Sequence, residues 1–146
     1  MRHIFATMTE IRSEFIIEND IIVCCIRAES FPGGVLAAHQ QLHKLIPQKP
    51  GRNYYGISYP DVNRKILYKA AVNMLNYDEP DKLNCETDVI RKGKYYGTVL
   101  TDFMQNIPAI GNTFEQLLQH PDLDPDGYCL EIYINNSDVQ LLVKLI

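Results

Sequence analysis

One carboxylate stands alone in an apolar segment near the C-terminus, where the chain reads Cys129-Leu-Glu-Ile-Tyr133. Side chains alternate between the two faces of a strand, so Cys129, Glu131 and Tyr133 would share one face. The opposite face, which we expect to pack beneath a helix, carries Leu130, Ile132 and Ile134. The segment therefore predicts a strand that presents a carboxylate between a thiol and an aromatic ring.

A carboxylate in such a place has two chemical uses. If the face lines a cavity, Glu131 can bind an amine or a lipophilic cation, with tyrosine rings adding cation–π attraction. It can also act as a general acid or base. Alternation alone also fits a glutamate on the solvated face of an antiparallel sheet, and that arrangement is the commoner one.

Tyrosine is the characteristic aromatic residue of this chain, which has nine tyrosines and no tryptophan. A tyrosine ring lines an apolar pocket well and carries one polar tip. Tyrosine also has high strand propensity and suits half-buried sheet positions. We expect most of the tyrosines to be structural and a few to line a pocket.

Two other groups of residues imitate metal sites. His39 and His43 have the i, i+4 spacing that can present two imidazoles to zinc, but the glutamate of zinc peptidases and an obvious third ligand are missing. Residues 122–127 begin like a calcium loop, yet Tyr133 stands where the bidentate glutamate is needed. Nucleophile-elbow and phosphate-loop motifs are also missing. We predict neither a metal nor a cofactor.

Composition narrows the possible partners. The formal net charge is −4 and the 14 basic residues are scattered, which argues against direct binding to nucleic acid. The longest apolar run, at residues 21–26, is too short to span a membrane. With four cysteines and no signal peptide, we expect reduced thiols and a cytoplasmic protein.

The periodicities predict a single α+β domain, residues 1–146, made of two halves with the same order of elements: strand, helix, strand, strand. The first half comprises strand 21–26, helix 35–46 and strands 53–59 and 66–74. The second comprises a strand signal at 87–101 that bends near Gly93, helix 107–119 and strands 128–134 and 139–145. Residues 1–19 are weakly patterned, with a short strand at 14–17, and 76–84 are expected to form a loop. A shift of 74 residues matches Tyr54 to Tyr128 and Tyr59 to Tyr133.

Several phrases together resemble the GyrI-like small-molecule-binding domains, which also serve as effector-binding domains of multidrug-responsive bacterial transcription regulators. The phrases are Tyr55-Gly-Ile-Ser-Tyr59, Tyr68-Lys-Ala-Ala-Val72, Lys92-Gly-Lys-Tyr-Tyr-Gly97, and Cys129-Leu-Glu-Ile-Tyr133 followed by Val139-Gln-Leu-Leu-Val143. The resemblance implies a pseudo-twofold, largely antiparallel sheet of about eight strands, two helices and a ligand groove between the halves.

The resemblance also implies site residues. The family's groove glutamate corresponds to Glu131, and its groove aromatics correspond to Tyr133, Tyr68 and Tyr96. Phe114 stands where the family often has tryptophan in the second helix. Cys129, beside Glu131, completes the set of expected ligand contacts.

The leading functional hypothesis is a stand-alone protein that senses or sequesters a largely apolar ligand carrying a cationic or amine-bearing group. Only about 20 residues precede the first clear strand, so we expect no helix-turn-helix module. One alternative is a hydrolase of reactive small molecules, with Glu131 and either Tyr133 or Tyr96 as its acid–base pair. Another is a protein-interaction module that uses the acidic loops at 78–81 and 122–126.

Overall fold

The computed structural model describes residues 11–60, 65–76 and 85–146, and it shows an α+β protein. Eight strands and two α-helices lie in this part of the chain, which confirms the predicted numbers. The strands are β1 (Ser13–Ile17), β2 (Ile21–Arg27), β3 (Tyr54–Pro60), β4 (Ile66–Asn73), β5 (Glu86–Ile90), β6 (Gly93–Leu100), β7 (Cys129–Tyr133) and β8 (Val139–Lys144). The helices are α1 (Val35–Leu45) and α2 (Pro108–Leu117), and Phe103–Gln105 forms a 3-10 turn before α2. The predicted loop at 76–84 lies almost wholly outside the described residues.

The chain divides into two compact units with the same internal topology. Of the described residues, unit 1 contains 11–16 and 93–146, and unit 2 contains those between 17 and 92. Within unit 1 the strand order is β7-β8-β6-β1, and within unit 2 it is β3-β4-β2-β5. Each unit thus contains the predicted strand, helix, strand, strand order and one further strand at the edge. The predicted duplication is confirmed.

The strand signal predicted over 87–101 is two strands that belong to different units. β5 pairs antiparallel with β2 in unit 2, whereas β6 pairs with β8 in unit 1. Gly93 begins β6 with a φ of 130°, a conformation that side chains other than glycine rarely adopt. The glycine therefore marks the point where one unit ends and the other begins.

The 74-residue match of the tyrosines is one residue out of register. Tyr54 lies on the side of its sheet that faces α1, because its ring stacks on His43 and its hydroxyl donates to Ile46 O. Tyr128 lies on the side away from α2, where its hydroxyl meets that of Tyr95. A slip of one residue moves a side chain to the other face of a strand.

The terminal cross-strand pair of β3 with β4 and of β7 with β8 gives the better alignment, and it brings both helices to equivalent faces. These pairs are Pro60 with Ile66 in unit 2 and Tyr133 with Val139 in unit 1. Counted from them, Ser58 is the counterpart of Glu131. The duplicated scaffold therefore carries the carboxylate in one unit only.

Both helices pack one apolar stripe on the sheet of their own unit. In α1 the buried positions are Ala38 and Leu42, followed by Ile46 just after the helix, while Leu45 is 42% exposed. In α2, Phe114 and Leu117 pack on the inward residues of β8. Together they form the buried core of unit 1: Phe114, Leu117, Val139, Leu141 and Val143.

A network of charges crosses the sheet of unit 2. The buried Lys69 Nζ lies 2.9 Å from Glu86 Oε2 and 3.1 Å from Asp88 Oδ2. Arg27 donates two hydrogen bonds to the Glu86 carboxylate in a bidentate contact, and the Tyr59 hydroxyl donates one to Asp88. The hydrogen bond from Arg27 is the main reason that the pKa of Glu86 is lowered to about 2. These contacts hold the edge strand β5 on its neighbours.

Two glycines of unit 1 should respond to alanine with opposite signs. A Cβ at Gly97 would overlap the backbone oxygen of Leu141 in the adjacent strand β8, whereas a Cβ at Gly111 in α2 would meet nothing within 4 Å. We expect Gly97→Ala to lower the free energy of unfolding by about 1–3 kcal/mol, the range for overpacking. Gly111→Ala should raise it by roughly 0.5–1 kcal/mol, because alanine is the better helix former. Urea denaturation of both variants measures this, and equal effects would contradict the tight β6–β8 approach.

Candidate functional site

Glu131 lies on the side of the sheet of unit 1 that faces α2. It is opposite Leu141 in register, and its neighbours Cys129 and Tyr133 are opposite Val143 and Val139. All three of these β8 residues belong to the core beneath α2. The prediction that Leu130, Ile132 and Ile134 would lie beneath the helix is therefore wrong, and the face carrying the carboxylate is there instead.

The physical reason for this error is that both faces of the β7–β8 hairpin are buried. Leu130 and its cross-strand partner Leu142 are almost fully buried on the side away from α2. Tyr95 and Tyr128 join them there through a buried contact of 2.6 Å between their hydroxyls. Alternation identifies an inner face only when the other face is solvated.

Glu131 is a buried acid, with 5% of its surface exposed. The Tyr133 hydroxyl donates a hydrogen bond to Glu131 Oε1. Burial, helped by the charge of Glu131, raises the pKa of the Cys129 thiol to about 12, so this thiol stays protonated. The structure thus brings together the three predicted residues of β7 as a carboxylate, a hydroxyl donor and a neutral thiol.

Phe103 is a member of this site that the sequence analysis missed. Its ring centroid lies 5.6 Å from that of Tyr133, with the planes tilted by 58°. Its backbone N–H donates to Ser137 O in the turn between β7 and β8, at 3.0 Å. Asp102, just before it, has a φ of 52° and redirects the chain into the 3-10 turn. A phenylalanine in a three-residue 3-10 turn has no periodicity that could have identified it.

Tyr96 on β6 and Phe114 on α2 both lie on the side of the sheet of unit 1 that carries Glu131. Tyr96 is on β6, two strands from β7 with β8 between them. The centroid of its ring is 4.6 Å from that of the His120 ring. His120 Nδ1 accepts a hydrogen bond from the N–H of Asp122. Phe114 is part of the core beneath α2, on which Cys129 and Tyr133 also pack.

Tyr68 belongs to unit 2, where it is almost fully buried. Its hydroxyl lies 2.7 Å from His39 Nε2. The ring of Phe31 stacks on the Tyr68 ring, with centroids 5.9 Å apart. Burial is the main reason that the pKa of His39 falls to about 4, which keeps the imidazole neutral near pH 7.

The two histidines of α1 contact different tyrosines. The ring of His43 stacks on that of Tyr54 with centroids 3.9 Å apart, whereas His39 contacts Tyr68. No cluster of three or more histidine, cysteine or acidic side chains suited to a metal occurs within residues 11–60, 65–76 and 85–146. In the loop at 122–127, Asp124 accepts from the N–H of Asp126 and lies 3.9 Å from Lys144 Nζ. None of the helices in the described part of the chain is long and apolar enough to cross a membrane.

Solved structures supply the decisive comparison. No protein-family model matches this sequence, and none of the curated proteins matches it. An integron cassette protein from Vibrio cholerae has a TM-score of 0.69 at 13% identity, over 92% of this chain and 95% of the other. The C-terminal domain of EcmrR has a TM-score of 0.61 at 14% identity, over 94% of this chain and 99% of that domain. SAV2435, solved with bound tetraphenylphosphonium, has a TM-score of 0.59 at 14% identity, over 92% and 94% of the two chains.

The chain has the GyrI-like fold. The resemblance inferred from the short sequence phrases is thereby confirmed at the level of the fold. In this chain, the second strand-helix-strand-strand repeat holds Glu131 and Tyr133 close to each other on β7. The first repeat has Ser58 at the position of Glu131, and there the Tyr68 hydroxyl contacts His39.

Proposed function

We propose that this GyrI-like domain binds a small, largely apolar cation and that Glu131 is the counter-charge. Tyr133, Phe103 and Cys129 would form the wall around the charged centre of the ligand. The protein would act by sensing or sequestering that compound.

The burial of Glu131 carries this proposal. Among the described residues, it is the only aspartate or glutamate that is buried. A buried carboxylate is expensive unless it is paired or hydrogen-bonded. Tyr133 supplies a neutral donor, and a cationic ligand would add the opposite charge that stabilises the ionised form.

The chemistry of a structural neighbour supports the same ligand class. SAV2435 has the same fold and was solved with tetraphenylphosphonium, a lipophilic cation with four aromatic rings. A ligand of this kind suits a buried carboxylate beside aromatic side chains, because cation–π attraction adds to the charge pair. We therefore use this cation as the probe.

A pair of probes with one shape and opposite charges tests the proposal. Tetraphenylphosphonium at about 100 times its dissociation constant should raise the melting temperature by about 5–10 °C. Tetraphenylborate, its anionic counterpart, should give a much smaller shift. Equal shifts from both ions would show that binding is only hydrophobic, and the proposed role of the carboxylate would be abandoned.

The hydrogen bond between Glu131 and Tyr133 also suits a second function. A carboxylate and a hydroxyl in contact can pass a proton, as an acid–base pair for the hydrolysis of a reactive small molecule requires. If the protein is such a hydrolase, kcat/KM for an activated ester or epoxide should fall at least about 100-fold in Glu131→Gln. Absence of turnover by the wild type across such electrophiles would rule against it.

A further inference from the structure

Each unit contains a pair of phenylalanine and tyrosine rings, although the two tyrosines lie on strands that are not equivalent, β7 and β4. In each unit, the connection from a strand to the helix places a phenylalanine ring on a tyrosine ring. The pairs are Phe103 with Tyr133 in unit 1 and Phe31 with Tyr68 in unit 2, with centroids 5.6 and 5.9 Å apart. In each unit the hydroxyl of that tyrosine contacts a titratable side chain, Glu131 or His39.

In unit 1, contacts of both the backbone and the ring fix the position of Phe103. Its N–H donates to Ser137 O, so its backbone is tied to the hairpin turn that follows Tyr133. That turn is itself held by Asn135, whose Oδ1 accepts from the N–H groups of Ser137 and Asp138 at 2.7 and 2.9 Å. The ring of Phe103 is therefore held at a defined place against the ring of Tyr133.

The Phe103 ring packs on Tyr133, whose hydroxyl reaches a neighbour two residues away on the same strand. Tyr133 is the last residue of β7 and is only half-buried, so a ring packed against it helps to select its rotamer. We propose that Phe103 is a positioning residue, which holds the Tyr133 hydroxyl on Glu131 and thereby sets how readily that carboxylate accepts a proton or a cation. The consequence for cations rests on the proposed function, but the positioning does not.

The described residues that flank Glu131 on β7 and face it on β8 carry no charge. Cys129 on β7 is a neutral thiol, and the facing residues of β8 are Val139, Leu141 and Val143. The buried residues of α2 are Thr113, Phe114 and Leu117, none of which titrates. His120, which follows α2, contacts Tyr96 on β6. Because Phe103 contacts the Tyr133 ring and the Tyr133 hydroxyl donates to Glu131, a change at Phe103 should reach Glu131 through Tyr133.

The test is a ligand-free titration of Glu131, followed by the NMR signal of its side-chain 13C carboxyl carbon. Glu131→Gln identifies the signal by deleting it. Tyr133→Phe removes the hydroxyl and should raise the midpoint by about half a pH unit or more, because the ionised form loses a donor. Phe103→Leu should move it in the same direction, by a large part of that amount. If Phe103→Leu leaves the midpoint of the Glu131 titration unchanged, the proposal is overturned.

The direction of the shift separates positioning from simple shielding. If Phe103 only excluded water, its loss would hydrate the carboxylate and lower the midpoint, and that result would also overturn the proposal. Phe31→Leu is the matched control, because it makes the same truncation against Tyr68. It should leave Glu131 unchanged and move the titration of His39. Since no ligand is present, failure of tetraphenylphosphonium to bind would count against the proposed function alone.

Discussion

Lowering the pH from 7.5 to about 4 is expected to lower the free energy of unfolding by about 3 kcal/mol through His39 alone. The pKa of His39 is about 4 in the folded protein against 6.5 for the free side chain, and each unit of difference corresponds to about 1.4 kcal/mol. The unfolded chain therefore takes up the proton first. Stability is full above pH 6.5, falls between 6.5 and 4, and loses nothing more through this group below pH 4.

A variant that cannot titrate isolates this effect. His39→Gln should show a much smaller loss between pH 7.5 and 4 than the wild type, as measured by urea denaturation at each pH. His43→Gln is the matched control on the same helix, because His43 is exposed. Equal pH dependence in wild type and His39→Gln would show that the imidazole is not buried against Tyr68.

The network around Lys69 should act at lower pH. The pKa of Glu86 is lowered from 4.5 to about 2, chiefly by Arg27. Its contribution is therefore present above pH 4.5 and is lost as the pH falls toward 2. Glu86→Gln should remove this second phase while leaving the phase due to His39, and the same denaturation series shows whether the two separate.

Glu131→Gln is expected to weaken the binding of tetraphenylphosphonium by about 30-fold or more. Truncating one partner of a desolvated charge pair costs roughly 2–5 kcal/mol, and about 1.4 kcal/mol corresponds to a factor of ten. Glutamine has nearly the same shape and can still accept from the Tyr133 hydroxyl, so the fold should be kept. Isothermal titration calorimetry measures the dissociation constants.

Tyr133→Phe provides the matched comparison on the same strand. It keeps the carboxylate and the aromatic ring and removes only the hydroxyl that donates to Glu131. Because the counter-charge remains, we expect this variant to keep most of its preference for a cation over an anion. If Tyr133→Phe loses as much affinity as Glu131→Gln, the hydroxyl and not the charge is what the ligand recognises.

The elements of the fold could be predicted from sequence because their periodicities are local. The alternating and continuous apolar runs gave β2 and β4, and Ala38 and Leu42 gave the buried stripe of α1. The offset between the two repeats could not be predicted, because matching Tyr54 to Tyr128 scores residue identity without regard to the face of the sheet. Only the pairing of each hairpin shows that Ser58 is the counterpart of Glu131.

The candidate site was predictable in part for a similar reason. A lone carboxylate in an apolar strand was visible in the sequence, and so were its neighbours Cys129 and Tyr133. The side of the sheet on which it lies was not, since Leu130 and Leu142 are as buried as Leu141. Phe103 reaches Tyr133 from a 3-10 turn, a contact that depends on tertiary structure and leaves no pattern in the sequence.

The most direct test of the proposed function compares two ions in two proteins. Tetraphenylphosphonium and tetraphenylborate are titrated by calorimetry into the wild type and into Glu131→Gln, and the ratio of their dissociation constants is taken for each protein. If Glu131 is the counter-charge, the wild type prefers the cation and the preference falls by about 30-fold or more in the variant. The same ratio in both proteins would contradict the proposal, because the charge recognised by the ligand would then lie elsewhere.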